Sequence, residues 1–132
     1  MSRTRPVHEL TLDAGALIAI DRNTEDARAL VQRALANGWP LTVPAGALAQ
    51  AWRGRSQHAR LARFLKAKDG PTIAPLDARN ARAAGELCGW TGTADVIDAS
   101  VAVCALVRRD HVVTSDPGDI RRLDPEIPLI AI

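Results

Sequence analysis

Short apolar runs alternate along the chain with longer stretches in which apolar residues recur at helical spacing. The short runs are rich in Leu, Val, Ile and Thr and are almost continuously apolar, which is typical of strands buried on both faces. Turn residues such as Gly, Pro, Asn and Asp lie near the ends of most of them. The pattern predicts five strands: Leu10–Leu12, Leu41–Val43, Thr72–Leu76, Val112–Thr114 and Pro128–Ile132.

Helices are predicted between these strands from periodicity and from capping residues. Thr24 is typical of a helix cap, the acids after it favour the positive end of the helix, and Gly38 supplies a stop. Pro44 opens another helix and Asp77 caps a later one. The predicted helices are a short one after Asp13, then residues 24–38, 44–54, 56–68, 77–89 and 95–109.

The order of these elements predicts the fold class. Strands that alternate with helices across short connections are typical of right-handed βαβ units. They predict an α/β protein with three layers, in which helices flank a central parallel sheet. Neither a repeat nor a linker interrupts the pattern, so residues 1–132 are expected to form a single domain.

Composition narrows the class of protein further. Hydrophobic residues make up 47% of the chain, enough for one core, yet no run approaches the roughly 20 apolar residues of a membrane-spanning helix. Cys88 and Cys104 lack metal-ligand spacing and are expected to be buried, reduced thiols. The histidines, among them His58, show no spacing that pairs them with acids, and we interpret each as a surface or strand-edge residue. A cytoplasmic protein without a membrane partner is expected.

Charge is distributed unevenly, although the formal net charge is only +2. No acid occurs from Ala27 to Lys68. Such a segment is either the solvated face of helices or a contact surface for a polyanion. The basic residues in it are Arg28, Arg33, Arg53, Arg55, Arg60, Arg63, Lys66 and Lys68.

Aspartates follow the ends of two predicted strands and open one helix. Asp13 directly follows the first strand, Asp116 follows "VVTS", and Asp95 and Asp98 lie three residues apart on one helix face. Because ligands bind beyond the carboxyl ends of parallel strands, we expect Asp13, Asp98 and Asp116 to converge. Carboxylates held together repel unless a cation joins them, and a site built from oxygen ligands suits Mg²⁺ or Mn²⁺.

Each polar residue near this site also has a structural explanation. Asp95 could cap its own helix and Asp119 could cap the short segment "DIRRL". Ser115 and Thr114 could bind a ligand water or a phosphate oxygen, or satisfy the strand end. Asp98 is the hardest to explain structurally, because it interrupts an otherwise apolar helix face.

Four segments carry a family resemblance: "LDAGALIAI", "VPAGALAQAWR", "GTADVIDASVAVCA" and "VVTSDPGDIRRL", in this order. With them the chain resembles the PIN-domain family, and within it the VapC-type toxins of bacterial toxin–antitoxin pairs. The resemblance implies a Rossmann-like fold and a Mg²⁺-dependent ribonuclease that a cognate antitoxin inhibits and that often forms a homodimer. It also implies that Asp13, Asp98 and Asp116 bind the metal, with Asp95 and Asp119 as accessory acids.

Gln50 departs from the pattern, because family members commonly have glutamate at this position. An amide oxygen accepts a hydrogen bond from metal-bound water but supplies neither charge nor a general base. Two outcomes stay open: Asp95 compensates with its own charge, or the chain is a PIN-like module that binds RNA or a partner with weakened or no catalysis. A receiver domain or an aspartyl-phosphate phosphatase would need a second acid beside Asp13, which "LDAG" lacks.

An RNA substrate would give the basic segment a use. Its arginines would follow the RNA backbone toward an acidic pocket that otherwise repels it. Trp52 and Trp90 either stack on bases or belong to the core. The residues expected to contact RNA are Arg53, Arg55, Arg60 and Arg63.

Overall fold

Five strands and seven helices occur in the parts of the chain that the structure, a computed structural model, describes, which are residues 9–54 and 58–132. The strands are β1 (Leu10–Leu12), β2 (Leu41–Pro44), β3 (Thr72–Ala74), β4 (His111–Thr114) and β5 (Leu129–Ala131). The helices are α1 (Ala14–Asp21), α2 (Glu25–Asn37), α3 (Ala45–Ala51), α4 (Ala59–Lys66), α5 (Ala78–Thr91), α6 (Val96–Arg108) and α7 (Pro117–Leu123).

The strands form one parallel sheet in the order β3-β2-β1-β4-β5. In the register of the sheet, Leu10 of β1 pairs with Leu41 on one side and with His111 on the other. After β1, the chain adds β2 and β3 on one side of that strand. It then returns and adds β4 and β5 on the other side. This reversal opens a crevice beyond the carboxyl ends of β1 and β4. The predicted α/β fold with a central parallel sheet flanked by helices is confirmed.

Local capping explains where several helices begin and end. The Thr24 side chain accepts from the Ala27 N–H at 3.3 Å, and Gly38 ends α2 in the left-handed conformation at φ 66°. Asp77 accepts from the Asn80 N–H at 2.8 Å and so caps α5. These three sequence predictions are confirmed, because caps act within one turn of the chain.

Other helix ends differ from the prediction. Helix α3 ends at Ala51 rather than near Gly54, and α5 continues to Thr91. The predicted start of α4 falls on Ser56, which lies outside the described residues. Of the two alternatives for Asp119, the structure excludes the cap of "DIRRL": α7 begins at Pro117, so Asp119 lies within its first turn. Proline is favoured at the first helical position because the N–H that proline lacks would have no partner within the helix there.

The core is formed by the strands and by buried side chains of the flanking helices, α6 among them. Leu10, Val112 and Val113 of the strands and Val101 of α6 are all fully buried. Within residues 9–54 and 58–132, no single helix is long and apolar enough to cross a membrane; α5 and α6 pass that test only as a pair bent by 112°. Trp90 is 80% exposed, so its assignment to the core is wrong.

Cys88 is buried, as predicted, and its thiol is free. Cys104 is also free but only partly buried, so the expectation of full burial is wrong for this residue. The difference arises because Cys104 lines a surface cavity.

Candidate functional site

Asp13 lies at the end of β1 and caps α1. Its carboxylate is only 5% exposed and accepts from the Ala16 N–H at 2.8 Å. Burial raises the pKa of Asp13, a hydrogen bond from Thr114 lowers it, and the nearby Asp116 carboxylate raises it. Asp13 is thus a buried acid that faces the end of β4, as the sequence predicted.

Asp98 lies on the first turn of α6, half-buried, with Asp95 at the helix cap. The Asp95 carboxylate accepts from the Asp98 N–H at 3.0 Å, so its predicted capping role is confirmed. Burial raises the pKa of Asp98 to about 7, helped by repulsion from Asp95, Asp119 and Asp13. Asp95 therefore both caps α6 and adds negative charge next to Asp98.

Asp116 and Asp119 extend the acidic site from the end of β4 into α7. Asp116 is exposed at the cap position of α7, and its N–H donates to the Thr114 hydroxyl at 2.9 Å. Partial burial and the neighbouring Asp116 carboxylate raise the pKa of Asp119, whereas Arg122, 3.3 Å away, lowers it. Thr114 is fully buried, and its hydroxyl is engaged by Asp13 and by the Asp116 N–H. Thr114 therefore satisfies polar groups at the end of β4.

Ser115 lies directly over the first turn of α1. A methyl group added to Gly15 would overlap the Ser115 hydroxyl and contact the Asp13 carboxylate at 3.4 Å. Glycine at position 15 therefore lets the end of β4 approach the start of α1. Ser115 is itself exposed, so its hydroxyl borders the crevice next to Asp13.

Five aspartates from three places in the sequence thus interact electrostatically at one end of the sheet. Three of them line a cavity of about 220 Å³, together with Arg122. Such a concentration of carboxylates disfavours full ionisation unless a cation is bound. The members of this acidic cluster are Asp13, Asp95, Asp98, Asp116 and Asp119.

The acidic cluster fits Mg²⁺ by the chemistry of its donors, which are carboxylate oxygens. Within the described parts of the chain, no three His, Cys, Asp or Glu side chains are arranged closely enough to hold a metal by themselves. Mg²⁺ usually keeps several waters and takes only one or two carboxylates from a protein, so it does not require such a cage. Zinc, which prefers a closed set of nitrogen and sulfur ligands, does not fit.

Comparisons with known proteins agree on the fold. No protein-family model and no curated protein sequence matches the chain. Among solved structures, VapBC2 from Rickettsia felis bound to a promoter DNA fragment is similar at 18% identity and TM-score 0.70, over 93% of this chain and 98% of that chain. DNA-bound VapBC from Salmonella typhimurium is similar at 16% identity and TM-score 0.68, over 94% and 98%. VapC20 from Mycobacterium tuberculosis, a toxin that cleaves the sarcin–ricin loop, is similar at 14% identity and TM-score 0.58, over 79% of this chain and 87% of that chain.

The chain has a VapC-type PIN-domain fold. The resemblance expected from the four sequence segments is therefore confirmed at the level of the fold. The PIN-domain fold also accounts for the position of the acidic cluster, since β1 and β4 end side by side where the strand order reverses.

Gln50 is exposed on α3 and lines a different cavity, of about 510 Å³. No hydrogen bond in the described part of the chain joins Gln50 to the acidic cluster. Gln50, at the position where the family resemblance implies an acid, therefore lies beside the basic residues of this second cavity. Its neighbours in this cavity are Ile18, Asp21, Arg22, Ala51, Arg53, His58 and Arg60.

The predicted RNA-contacting arginines that the structure describes divide between two cavities. Arg53 and Arg60 line the cavity that holds Gln50. Arg60 also lines a groove of about 430 Å³ beside α2, where it is joined by Arg63 and Arg28. Arg55 lies outside the described residues. The basic segment is thus a bent surface and not one continuous stripe.

A largely buried hydrogen bond between Asp21 and His58 was missed by the sequence interpretation. The His58 Nδ1 lies 2.6 Å from the Asp21 carboxylate, with the two side chains only 11% and 13% exposed. Trp52 stacks on the His58 ring with centroids 4.6 Å apart. The surface interpretation of His58 is wrong, and no spacing signal would have corrected it, because the partners are 37 residues apart.

Proposed function

We propose that this PIN domain is a Mg²⁺-dependent ribonuclease and the toxin of a toxin–antitoxin pair. The observation that carries the proposal is the convergence of five aspartates at the crevice of a VapC-type fold. Hydrolysis of a phosphodiester requires an oriented water and neutralisation of the charge that develops on the phosphoryl oxygens. Carboxylates gathered in a crevice meet that requirement when they hold a divalent cation.

Asp13, Asp98 and Asp116 would hold the ion, one or two of them directly and the others through its bound waters. A bound Mg²⁺ supplies positive charge and lowers the pKa of a water. Hydrogen bonds from the Ala16 N–H and Thr114 fix the orientation of Asp13. The exposed Ser115 hydroxyl is free to donate to a phosphate oxygen of the substrate. That Asp95 offsets the missing charge of Gln50 stays a hypothesis.

A PIN-like module that binds RNA or a protein without cleaving is the second candidate. Gln50 favours it, because an amide replaces the acid that family members commonly carry. The two candidates share the fold and the basic residues. They differ in whether the chain cleaves RNA and whether that cleavage requires Asp98.

Cleavage of a structured RNA, with Mg²⁺ and with a chelator, tests the proposal. We expect metal-dependent cleavage by the native chain and a loss of about 100-fold or more in Asp98→Ala. Asp69→Ala, which removes an exposed carboxylate outside the acidic cluster, is the matched control and should cleave normally. Cleavage that persists without metal, or an active Asp98→Ala, contradicts the assignment, and RNA binding without cleavage favours the second candidate.

A cognate antitoxin is the proposed partner, because the similar structures from Rickettsia felis and Salmonella typhimurium are VapBC complexes. The groove beside α2 suits a protein segment, since both apolar side chains and arginines line it. We call it the α2 groove. It is lined by Ile20, Asn23, Ala27, Arg28, Val31, Gln32, Leu35, Arg60, Arg63, Phe64 and Ala67.

A further inference from the structure

The cavity that holds Gln50 carries more positive than negative charge. Arg22, Arg53 and Arg60 line it, against a single carboxylate, that of Asp21. In the described parts of the chain, the salt bridge that involves an arginine joins Arg122 to Asp119, so none of these three arginines forms one. Three guanidinium groups around a cavity of about 510 Å³ make an environment for an anion.

The single carboxylate in this cavity is already engaged. Asp21 accepts from His58 Nδ1 at 2.6 Å and from the Leu61 N–H at 3.1 Å. Its negative charge is therefore shared with donors of α4 and its preceding segment, and is less available to the arginines.

The same hydrogen bonds fix the backbone segments that carry Arg53 and Arg60. His58 Nε2 accepts from the Arg53 N–H at 2.9 Å, so the proton on this ring lies at Nδ1, where it is donated to Asp21. Through His58, the backbone at Arg53 and the start of α4, which carries Arg60, are both attached to the end of α1. A preorganised set of donors binds an anion with less loss of conformational entropy than mobile side chains do.

We propose that this cavity is a phosphate-binding pocket for the RNA backbone, and that Gln50 belongs to it and not to the metal site. A glutamine amide can donate to a phosphate oxygen, whereas a glutamate at position 50 would pair with the arginines and repel the anion. The identity of the anion as an RNA phosphate rests on the proposed ribonuclease function. Glutamine instead of glutamate at position 50 then has a function of its own, because it keeps the net charge of the pocket positive.

Calorimetric titration with inorganic phosphate, without Mg²⁺, tests the pocket. We expect the native chain to bind phosphate and Gln50→Glu to bind it about tenfold more weakly. Ala49→Glu is the matched control, since it adds the same charge to the same helix but lines a different cavity. Arg53→Gln should weaken binding as well, and thermal unfolding of each variant shows whether it is folded.

Binding of a single-stranded oligoribonucleotide and of Mg²⁺ to the same variants completes the test. Gln50→Glu should weaken binding of the oligonucleotide but leave Mg²⁺ affinity unchanged. Unchanged phosphate affinity in Gln50→Glu, or a gain in its Mg²⁺ affinity, would overturn the inference and assign position 50 to the metal site. Phosphate and RNA binding that depend on Gln50, in a chain that does not cleave RNA, would refute the ribonuclease proposal and leave the pocket standing.

Discussion

At the scale of single residues, the acidic cluster makes stability depend on pH. The pKa of Asp98 is raised from 3.8 to about 7, first by burial and then by repulsion from neighbouring aspartates. A raised pKa means that the folded state binds the proton more tightly than the unfolded chain does. The resulting stabilisation is complete below about pH 4 and is lost as the pH rises through 7.

Replacement of Asp98 by Asn should therefore stabilise the metal-free protein at high pH. We expect a gain of about 1–2 kcal/mol at pH 8, after allowing for solvent screening of a half-exposed carboxyl, and little gain at pH 5. Urea unfolding at the two pH values, in the presence of a chelator, measures it. Asp69→Asn is the control without neighbouring acids, and an Asp98→Asn gain that is equal at both pH values would contradict the explanation.

Gly15 makes a second prediction at this scale. Gly15→Ala places a methyl group against the hydroxyl of the exposed Ser115 side chain, which can rotate away, so we expect a displaced Ser115 and a loss of about 1 kcal/mol or less in stability. Removal of the obstructing side chain in Gly15→Ala/Ser115→Gly should recover the loss, as thermal unfolding would show. If the double variant is no more stable than Gly15→Ala, the close approach does not limit this position.

At the scale of elements, the side chains of α1, α2 and α4 form a groove that none of these helices has alone. Leu35 is 54% exposed there, and Arg28 and Arg63 line the same groove. An exposed apolar side chain flanked by cations favours a segment whose apolar residues alternate with acids. The α2 groove is therefore our proposed contact for an antitoxin.

A labelled amphipathic peptide with acidic flanks tests the α2 groove. We expect saturable binding that weakens about tenfold or more in Leu35→Glu and in Arg63→Glu, because one change removes apolar contact and the other reverses a charge. Arg82→Glu, an exposed change on α5, is the matched control. Fluorescence anisotropy measures the affinities, and equal loss in the control would mean that only net charge matters.

At the scale of the whole molecule, apolar side chains are left exposed near β3. Leu76 is 43% exposed and Val107 of α6 is 70% exposed, and both line one cavity of about 440 Å³. Exposed apolar surface of this kind is typical of a protein contact. The homodimer expected from the family resemblance stays a prediction, and this is the surface we propose for it.

Light scattering after size-exclusion chromatography tests the homodimer. Val107→Glu should shift the chain to the monomer, because it places a charge within the contact. Leu106→Glu changes the neighbouring residue, which is also exposed but does not line the cavity, and should leave the mass unchanged. A native chain that is monomeric at high concentration would refute the expectation.

The sequence by itself determined the order of strands and helices, most of the caps and three acids of the site. Periodicity and capping act over a few residues, so Thr24, Gly38 and Asp77 could be interpreted without a tertiary structure. Asp13 and Asp116 follow strands, and in a parallel sheet that position alone implies the crevice.

Only the tertiary structure decided which distant side chains meet. The contact of Asp21 with His58 and the position of Gln50 among arginines depend on how α1, α3 and α4 pack. Sequence spacing along each helix fixes the face on which a residue lies, but not the helix that this face meets. That choice is made by packing across the whole core, and it gives Gln50 positively charged neighbours.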